Sequence, residues 1–319
     1  MWVKLAALGA GAITLLGCVS GVSASASVPS KAVPAAGPSA TKPCLDHAVP
    51  RHYTHVIWIF MENHSYGAII GSHQAPYINS IATECGLATN YHNISHPSLP
   101  NYVAATSGVG YPGLARFVSD CDPAGKCLTS APSIFGQGET WRSYEESMPA
   151  NCDKTSAGKY AVRHNPAPYY TTLKGCGKFD VPFGTLAGDL SHNRLPAFSF
   201  ITPNLIDDMH DGTVADGNKW LAAHLPTILS SREYTSGSTA VFITWDEGEG
   251  GTAFKCATNT TDVGCRVATI VISLSTKAGT RSKTLFNHYS LLGTAEQLLG
   301  LRKLNMASKF PTMVKAFHL

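Results

Sequence analysis

Charge is scarce in this sequence. Asp, Glu, Lys and Arg make up 14% of the 319 residues, the formal net charge is +3, and no basic block appears. A protein that holds a nucleic-acid backbone neutralises phosphates with a basic stripe or run, so nucleic acid is not an expected partner. No Cys-x-x-Cys pair is present, which argues against a structural zinc site. No internal repeat is visible, and beyond the N-terminus no apolar run is long enough for a membrane span.

What the N-terminus does hold is an export signal. Met1 to Lys4 supplies a short positive start, and Leu5 to Val19 an apolar run too short and glycine-rich to span a bilayer. Ala24-Ser25-Ala26 suits ordinary signal peptidase, giving a signal peptide over residues 1–26 and a secreted product. Leu15-Leu16-Gly17-Cys18 offers the alternative of a lipoprotein acylated at Cys18, with Leu16 an awkward residue in such a box. Residues 27–52, rich in Ala, Ser, Pro and Lys without apolar period, read as a flexible linker. A single catalytic domain is then expected over residues 53–319.

Setting Cys18 aside, the nine cysteines leave Cys44, Cys85, Cys121, Cys127, Cys152, Cys176, Cys256 and Cys265. An even set in an exported chain implies disulfides, with Cys121/Cys127 and Cys256/Cys265 close enough to bridge locally. The remaining pairings stay open.

From Tyr53 onward, short apolar runs alternate with helical patterns. His55–Phe60, Leu195–Ile201, Thr239–Thr244 and Val267–Ile272 are continuously hydrophobic, as strands buried on both faces are. Helices are expected over Pro76–Cys85, Leu99–Thr106, Asn218–Ser231 and His288–Leu299. These patterns predict an α/β fold with a mainly parallel central sheet covered by helices on both faces. Gly108–Asp180, rich in Gly, Pro and Cys with one strand near Thr140–Glu146, reads as a disulfide-stapled insertion over the site. Such sheets place their chemistry beyond the carboxyl ends of the strands.

Two strand ends carry acids: Glu62-Asn63 after the first, Asp246-Glu247 after the third of the four runs. Three carboxylates and an amide oxygen without cysteine describe a site for one divalent cation of the Mg, Mn or Ca type, with Fe or Zn also open. Between them, in Ser95-His96-Pro97-Ser98-Leu99-Pro100-Asn101, Ser98 stands where a helix begins. A serine there is commonly only a cap; the same place also suits a phosphate, and a neighbouring cation would activate the hydroxyl. His210, in a Gly- and Asp-rich loop, is placed as a general acid for a leaving alkoxide. His164 could reach phosphate from the insertion, while Asp207 and Asp208 read as loop or cap residues.

Five segments in order carry a resemblance: Glu62-Asn63-His64-Ser65, His96-Pro97-Ser98-Leu99-Pro100-Asn101-Tyr102, Asp208-Met209-His210-Asp211-Gly212, Asp246-Glu247-Gly248 and His288-Tyr289-Ser290-Leu291-Leu292. They look like the bacterial phosphoesterase family of secreted acid phosphatases and phospholipases C, in the alkaline-phosphatase-like superfamily. The likeness runs from Tyr53 to the C-terminal helix, and the spacing looks most like secreted acid phosphatases that act on phosphoinositides and other monoesters. It implies Ser98 as nucleophile, Glu62, Asn63, Asp246 and Glu247 as metal ligands, and Asn101 as donor to a phosphoryl oxygen. It also implies His210, Asp211 and His288 near the substrate. Asp246-Glu247-Gly248 stands where two-zinc members of the superfamily carry Asp-His-Gly, which implies one ion rather than two.

The expected reaction is hydrolysis of a phosphate monoester, a phosphoinositide headgroup among the candidates, through a phosphoserine. A phospholipase C or other phosphodiesterase would use the same core residues. A secreted binding module without catalysis is the reading from a different class, and the intact set of acids and Ser98 argues against it. A sulfatase is disfavoured because no Cys-x-Pro-x-Arg segment is present.

Overall fold

The structure, a computed structural model, describes residues 42–251 and 255–319. The expected signal peptide, Cys18 and the first part of the expected linker lie outside the described residues. Nine strands form one sheet: β1 His55–Met61, β2 Gly86–His92, β3 Trp141–Glu145, β4 Asp180–Pro182, β5 Phe198–Thr202, β6 Thr239–Trp245, β7 Arg266–Ile272, β8 Arg281–Ser282 and β9 Phe286–Asn287. Their order is β4-β3-β5-β1-β6-β7-β2-β8, with β9 also on β2. From β4 to β6 every neighbour is parallel; β7 runs antiparallel to both β6 and β2. Successive side chains of a strand face opposite ways, and in β6 all seven are buried, so both sheet faces are covered.

The expected helices are present with shifted ends: Pro76–Glu84, Ser98–Ser107, Val214–Leu229 and His288–Leu298. The third starts four residues before the expected Asn218, because Thr213 and Asp216 form a reciprocal capping box that satisfies the first free N–H groups.

One expectation is corrected. Residues 42–52 are not a free linker: Cys44 is bonded to Cys85, Tyr234 donates to the Pro43 carbonyl at 2.6 Å, and His47 N–H donates to Leu274 at 2.9 Å. The insertion carries its expected strand, β3, which lies inside the sheet between β4 and β5. Disulfides Cys121–Cys127 and Cys152–Cys176 do staple it, and Cys256–Cys265 closes the other expected local pair. None of the described helices is long and apolar enough to cross a membrane.

An aromatic layer joins core to site. Trp58 meets Phe198 edge-on at 4.8 Å, and Phe60 packs on Phe200 at 5.0 Å and on Tyr102 and His288 at 5.5 Å each. Such contacts hold rings in single orientations.

Across β3 and β4, two buried acids stand together. Glu145 accepts from Ser143 at 2.6 Å; Asp180 accepts from Asn165 at 2.8 Å and leaves Oδ1 without a partner. Burial pushes Asp180 up to about 7 and, with Asp180 beside it, raises Glu145 well above the ordinary range. The folded state therefore keeps a proton that the unfolded chain has released. Stability from Asp180 is full below the ordinary carboxylate range and is lost as pH rises from about 4 through about 7. Calorimetry of Asp180→Asn against the parent should show a smaller fall in Tm over that window; parallel curves would discard the assignment.

Candidate active site

Backbone pairing at the strand ends brings the acids together. Met61 lies opposite Trp245 in the β1–β6 register, so Glu62 and Asp246 leave the sheet side by side. Asp246 N–H donates to the Met61 carbonyl and Glu62 N–H to the Asp208 carbonyl, each at 2.9 Å. Asn63 adopts φ +50°, a left-handed backbone that Asn tolerates better than most residues, and its N–H donates to Asp246 Oδ1 at 3.1 Å.

Ser98 opens its helix against this edge, 2% exposed, and its Oγ donates to Glu62 Oε2 at 3.1 Å. Tyr102, one turn on, donates to the other Glu62 oxygen. That spacing follows from helical geometry, which stacks residues four apart on one face. Asn101 holds the turn before Ser98: its Oδ1 accepts from Ile94 and Ser95 N–H at 2.9 and 3.0 Å, and its Nδ2 donates to Ser95 O and Glu247 Oε2 at 2.9 and 3.1 Å. His96 Nδ1 lies 3.1 Å from the same Glu247 oxygen.

His164 is enclosed between Glu62 Oε1, 3.3 Å from Nε2, and Asp208 Oδ2, 3.2 Å from Nδ1, with its ring stacked on Tyr102 at 5.5 Å. His210 is half-buried beside it; Arg163 Nη2 lies 3.0 Å from Nε2, and Asp211 Oδ1 lies 2.7 Å from Nδ1. Arginine only donates, so in this arrangement Nε2 is the accepting nitrogen and the ring proton sits on Nδ1.

Burial is the largest influence on Glu62, Asp208, Asp246 and Glu247. It raises Glu62, with Asp246 and Asp208 adding to the rise; it raises Asp208; and it raises Asp246, with Glu247 adding. It pushes Glu247 up to about 9 and drives His164 well below its usual range. The short His–carboxylate distances therefore join groups that burial pulls toward neutrality. No lysine or arginine reaches any of the four acids within salt-bridge distance among the described residues. Asp246 Oδ2 is buried without a partner, and only one oxygen of Glu247 is engaged. Crowded, uncompensated oxygens of this kind are costly alone and fit a hard divalent cation. Glu62, His164 and His210 also offer ligand atoms within 4.8 Å of one another.

The site residues expected from sequence thus divide. Glu62, Asn63, Ser98, Asp246 and Glu247 come together, with His164 and His210 on the other side of Glu62. His288 does not reach a substrate: it is fully buried, with Nδ1 3.0 Å from Tyr91 OH and Nε2 2.7 Å from the Asp246 carbonyl. Burial lowers its ring to about 4, so it is a neutral brace for the Asp246 strand end. Asn101 has its amide engaged by the turn and Glu247 rather than open to a phosphoryl oxygen. Asp211 is exposed and orients His210.

Asp208, read from sequence as a loop or cap residue, is instead buried in the site against His164, and Tyr102, His96 and Arg163 had no role from sequence. Asp208, Tyr102 and His96 lie inside the quoted segments, while Arg163 precedes His164 and carried no signal of its own. An apolar cavity of about 280 Å3 lined by Phe183, Leu186, Leu190, His224 and Ile228 contains none of these groups.

Comparison with known proteins gives the same direction. Residues 72–302 match the model of the Phosphoesterase family. A phosphatidylinositol-3-phosphatase of Mycobacterium tuberculosis is 31% identical over 261 residues, covering 81% of each chain. A phosphate-repressible acid phosphatase of Penicillium chrysogenum is 28% identical over 243 residues, 71% of this chain and 55% of that one; the chain thus spans about half of that fungal relative. A solved structure from the alkaline phosphatase superfamily, from Vibrio parahaemolyticus, shares the fold with a TM-score of 0.53 at 12% identity, covering 86% of this chain and 72% of the other.

Proposed function

Because the chain belongs to the phosphoesterase family and is a phosphoric ester hydrolase of the acid-phosphatase type, we propose that it cleaves phosphate monoesters through a phosphoserine at Ser98. The observation that carries this reading is Ser98 Oγ at 3.1 Å from Glu62 Oε2, beside the unpartnered Asp246 Oδ2. Glu62, Asn63, Asp246 and Glu247 would hold one divalent cation, whose charge would offset that of the phosphoryl oxygens and favour an ionised serine. Ser98 Oγ attacks phosphorus, and its proton leaves along the hydrogen bond to Glu62. The bond to the leaving oxygen breaks, and that oxygen takes a proton from His210, once protonated and released from Arg163, or from water. Water then cleaves the phosphoserine and frees phosphate. Little covalent work falls to the protein, so rate comes from position and charge.

Similarity to a phosphatidylinositol-3-phosphatase favours phosphoinositides as one substrate class, and four disulfides suit an oxidising compartment outside the cytosol. Parallel assays on p-nitrophenyl phosphate, its bis ester, a monophosphorylated phosphoinositide and phosphatidylcholine test the proposal. Phosphate release from the first and third is expected; turnover confined to the bis ester or phosphatidylcholine would make the protein a diesterase and defeat it.

A further inference from the structure

Asp120 stands beside the reacting serine without a part in the chemistry above. Its Oδ1 accepts from the Leu99 N–H, the peptide directly after Ser98, at 2.9 Å. Its other oxygen makes no hydrogen bond among the described residues. The Ser98–Ser107 helix receives no side-chain cap from Pro97, the residue before it. The carboxylate comes instead from the insertion, on a residue held at φ +48° next to Cys121, which is bonded to Cys127.

Burial raises the Asp120 carboxyl above its ordinary value; the Leu99 N–H, Arg163 and His210 act the other way, toward its charged form, and that charge in turn acts on Glu247. Arg163 makes no carboxylate ion pair among the described residues and meets only His210 Nε2, at 3.0 Å. An amide N–H at a helix start, a guanidinium and an imidazole are the donors that receive phosphoryl oxygens elsewhere in chemistry. Here a carboxylate occupies the first of them, one residue from the nucleophile, with the other two acting on it through space.

We infer that Asp120 is a place-holding anion: its carboxylate takes the Leu99 N–H at rest and competes there with an oxygen of the incoming phosphoryl group or of released phosphate. Asp120 thereby sets the affinity of the site for tetrahedral oxyanions. The inference rests on the reading of Ser98 as the nucleophile. Competition favours a dianionic monoester, which carries the charge to displace a carboxylate, and it hastens departure of the product.

Asp120→Asn keeps an oxygen for Leu99 and loses the charge, which separates competition from simple capping. The test uses the full chain with the divalent cation that supports wild-type turnover. Inorganic phosphate is titrated by calorimetry, and KM is measured for p-nitrophenyl phosphate. In Asp120→Asn both constants should fall about tenfold, the size of one unfavourable charge contact partly screened by water. Asp120→Ala should also tighten phosphate while lowering Tm, because the cap is lost with the charge. Unchanged or weaker phosphate binding in Asp120→Asn overturns the inference, as does a collapse of kcat at constant KM. If the wild type hydrolyses no phosphoester while Asp120→Asn still tightens phosphate, competition stands and the phosphatase reading falls. If the wild type hydrolyses and phosphate affinity does not respond, the reverse holds.

Discussion

Ser98→Ala is expected to lower kcat at least about a thousandfold while leaving the fold in place. Both halves follow from where Oγ sits. The hydroxyl donates to Glu62 Oε2 and lies 2% exposed at the first turn of its helix. Removing it deletes the serine oxygen that donates to Glu62. The structural loss is one hydrogen bond to a carboxyl, about 1–3 kcal/mol at most, since Tyr102 and His164 still meet Glu62. Circular dichroism should therefore match the parent, with Tm lower by no more than about 8 °C. Acid-quenched wild type should carry phosphate on Ser98 by mass spectrometry, and the variant none. A variant turning over near the parental rate would remove Ser98 from the chemistry.

Stripping divalent cations should have an effect of similar size, and on stability as well as rate. Glu62, Asp208, Asp246 and Glu247 are buried together; burial raises each carboxyl, and repulsion from neighbouring acids, Asp120 in the case of Glu247, raises them further. A bound cation reverses both penalties, and it binds only the folded chain. At free cation about a thousandfold above Kd this linkage contributes about 4 kcal/mol, roughly 10 °C in Tm for a domain of this size. Dialysis against a chelator should thus lower Tm and cut turnover by at least about a hundredfold, with recovery on adding metal back. Asp246→Asn supplies the contrary sign. It removes one of the repelling charges, so the metal-free variant should melt above the metal-free parent, respond weakly to added cation and remain inactive. Unaltered Tm and activity after chelation would show that no cation belongs there.

Much of the framework was legible along the chain. β1 and β6 are unbroken apolar runs because both of their faces are covered, and the acids following them could be read directly. β2 escaped because Gly86-Leu-Ala-Thr-Asn-Tyr-His92 mixes glycine and polar residues; its place is secured by pairing with β7 and the short β8 and β9. The expected strand from Leu195 begins only at Phe198, since Pro196 has no N–H to give a ladder. Thr213 and Asp216, at the spacing of a capping box, went unread, and their helix was expected four residues too late. Cys44 hid the start of the folded body, because composition there resembles a linker and only the partner at Cys85 reveals the anchor.

The order of residues by itself determined the α/β sheet, the local disulfides and the chemistry-bearing types: acids at two strand ends and a serine at a helix start. Only the tertiary structure decided that His288 and Asn101 hold the loops, that Asp208 joins Glu62, that Arg163 meets His210, and that Asp120 accepts from the N–H after Ser98. The physical reason is saturation. Whether a ring nitrogen or carboxylate oxygen is left open for a ligand depends on every donor and acceptor within about 3 Å, and most of those neighbours arrive from distant parts of the chain.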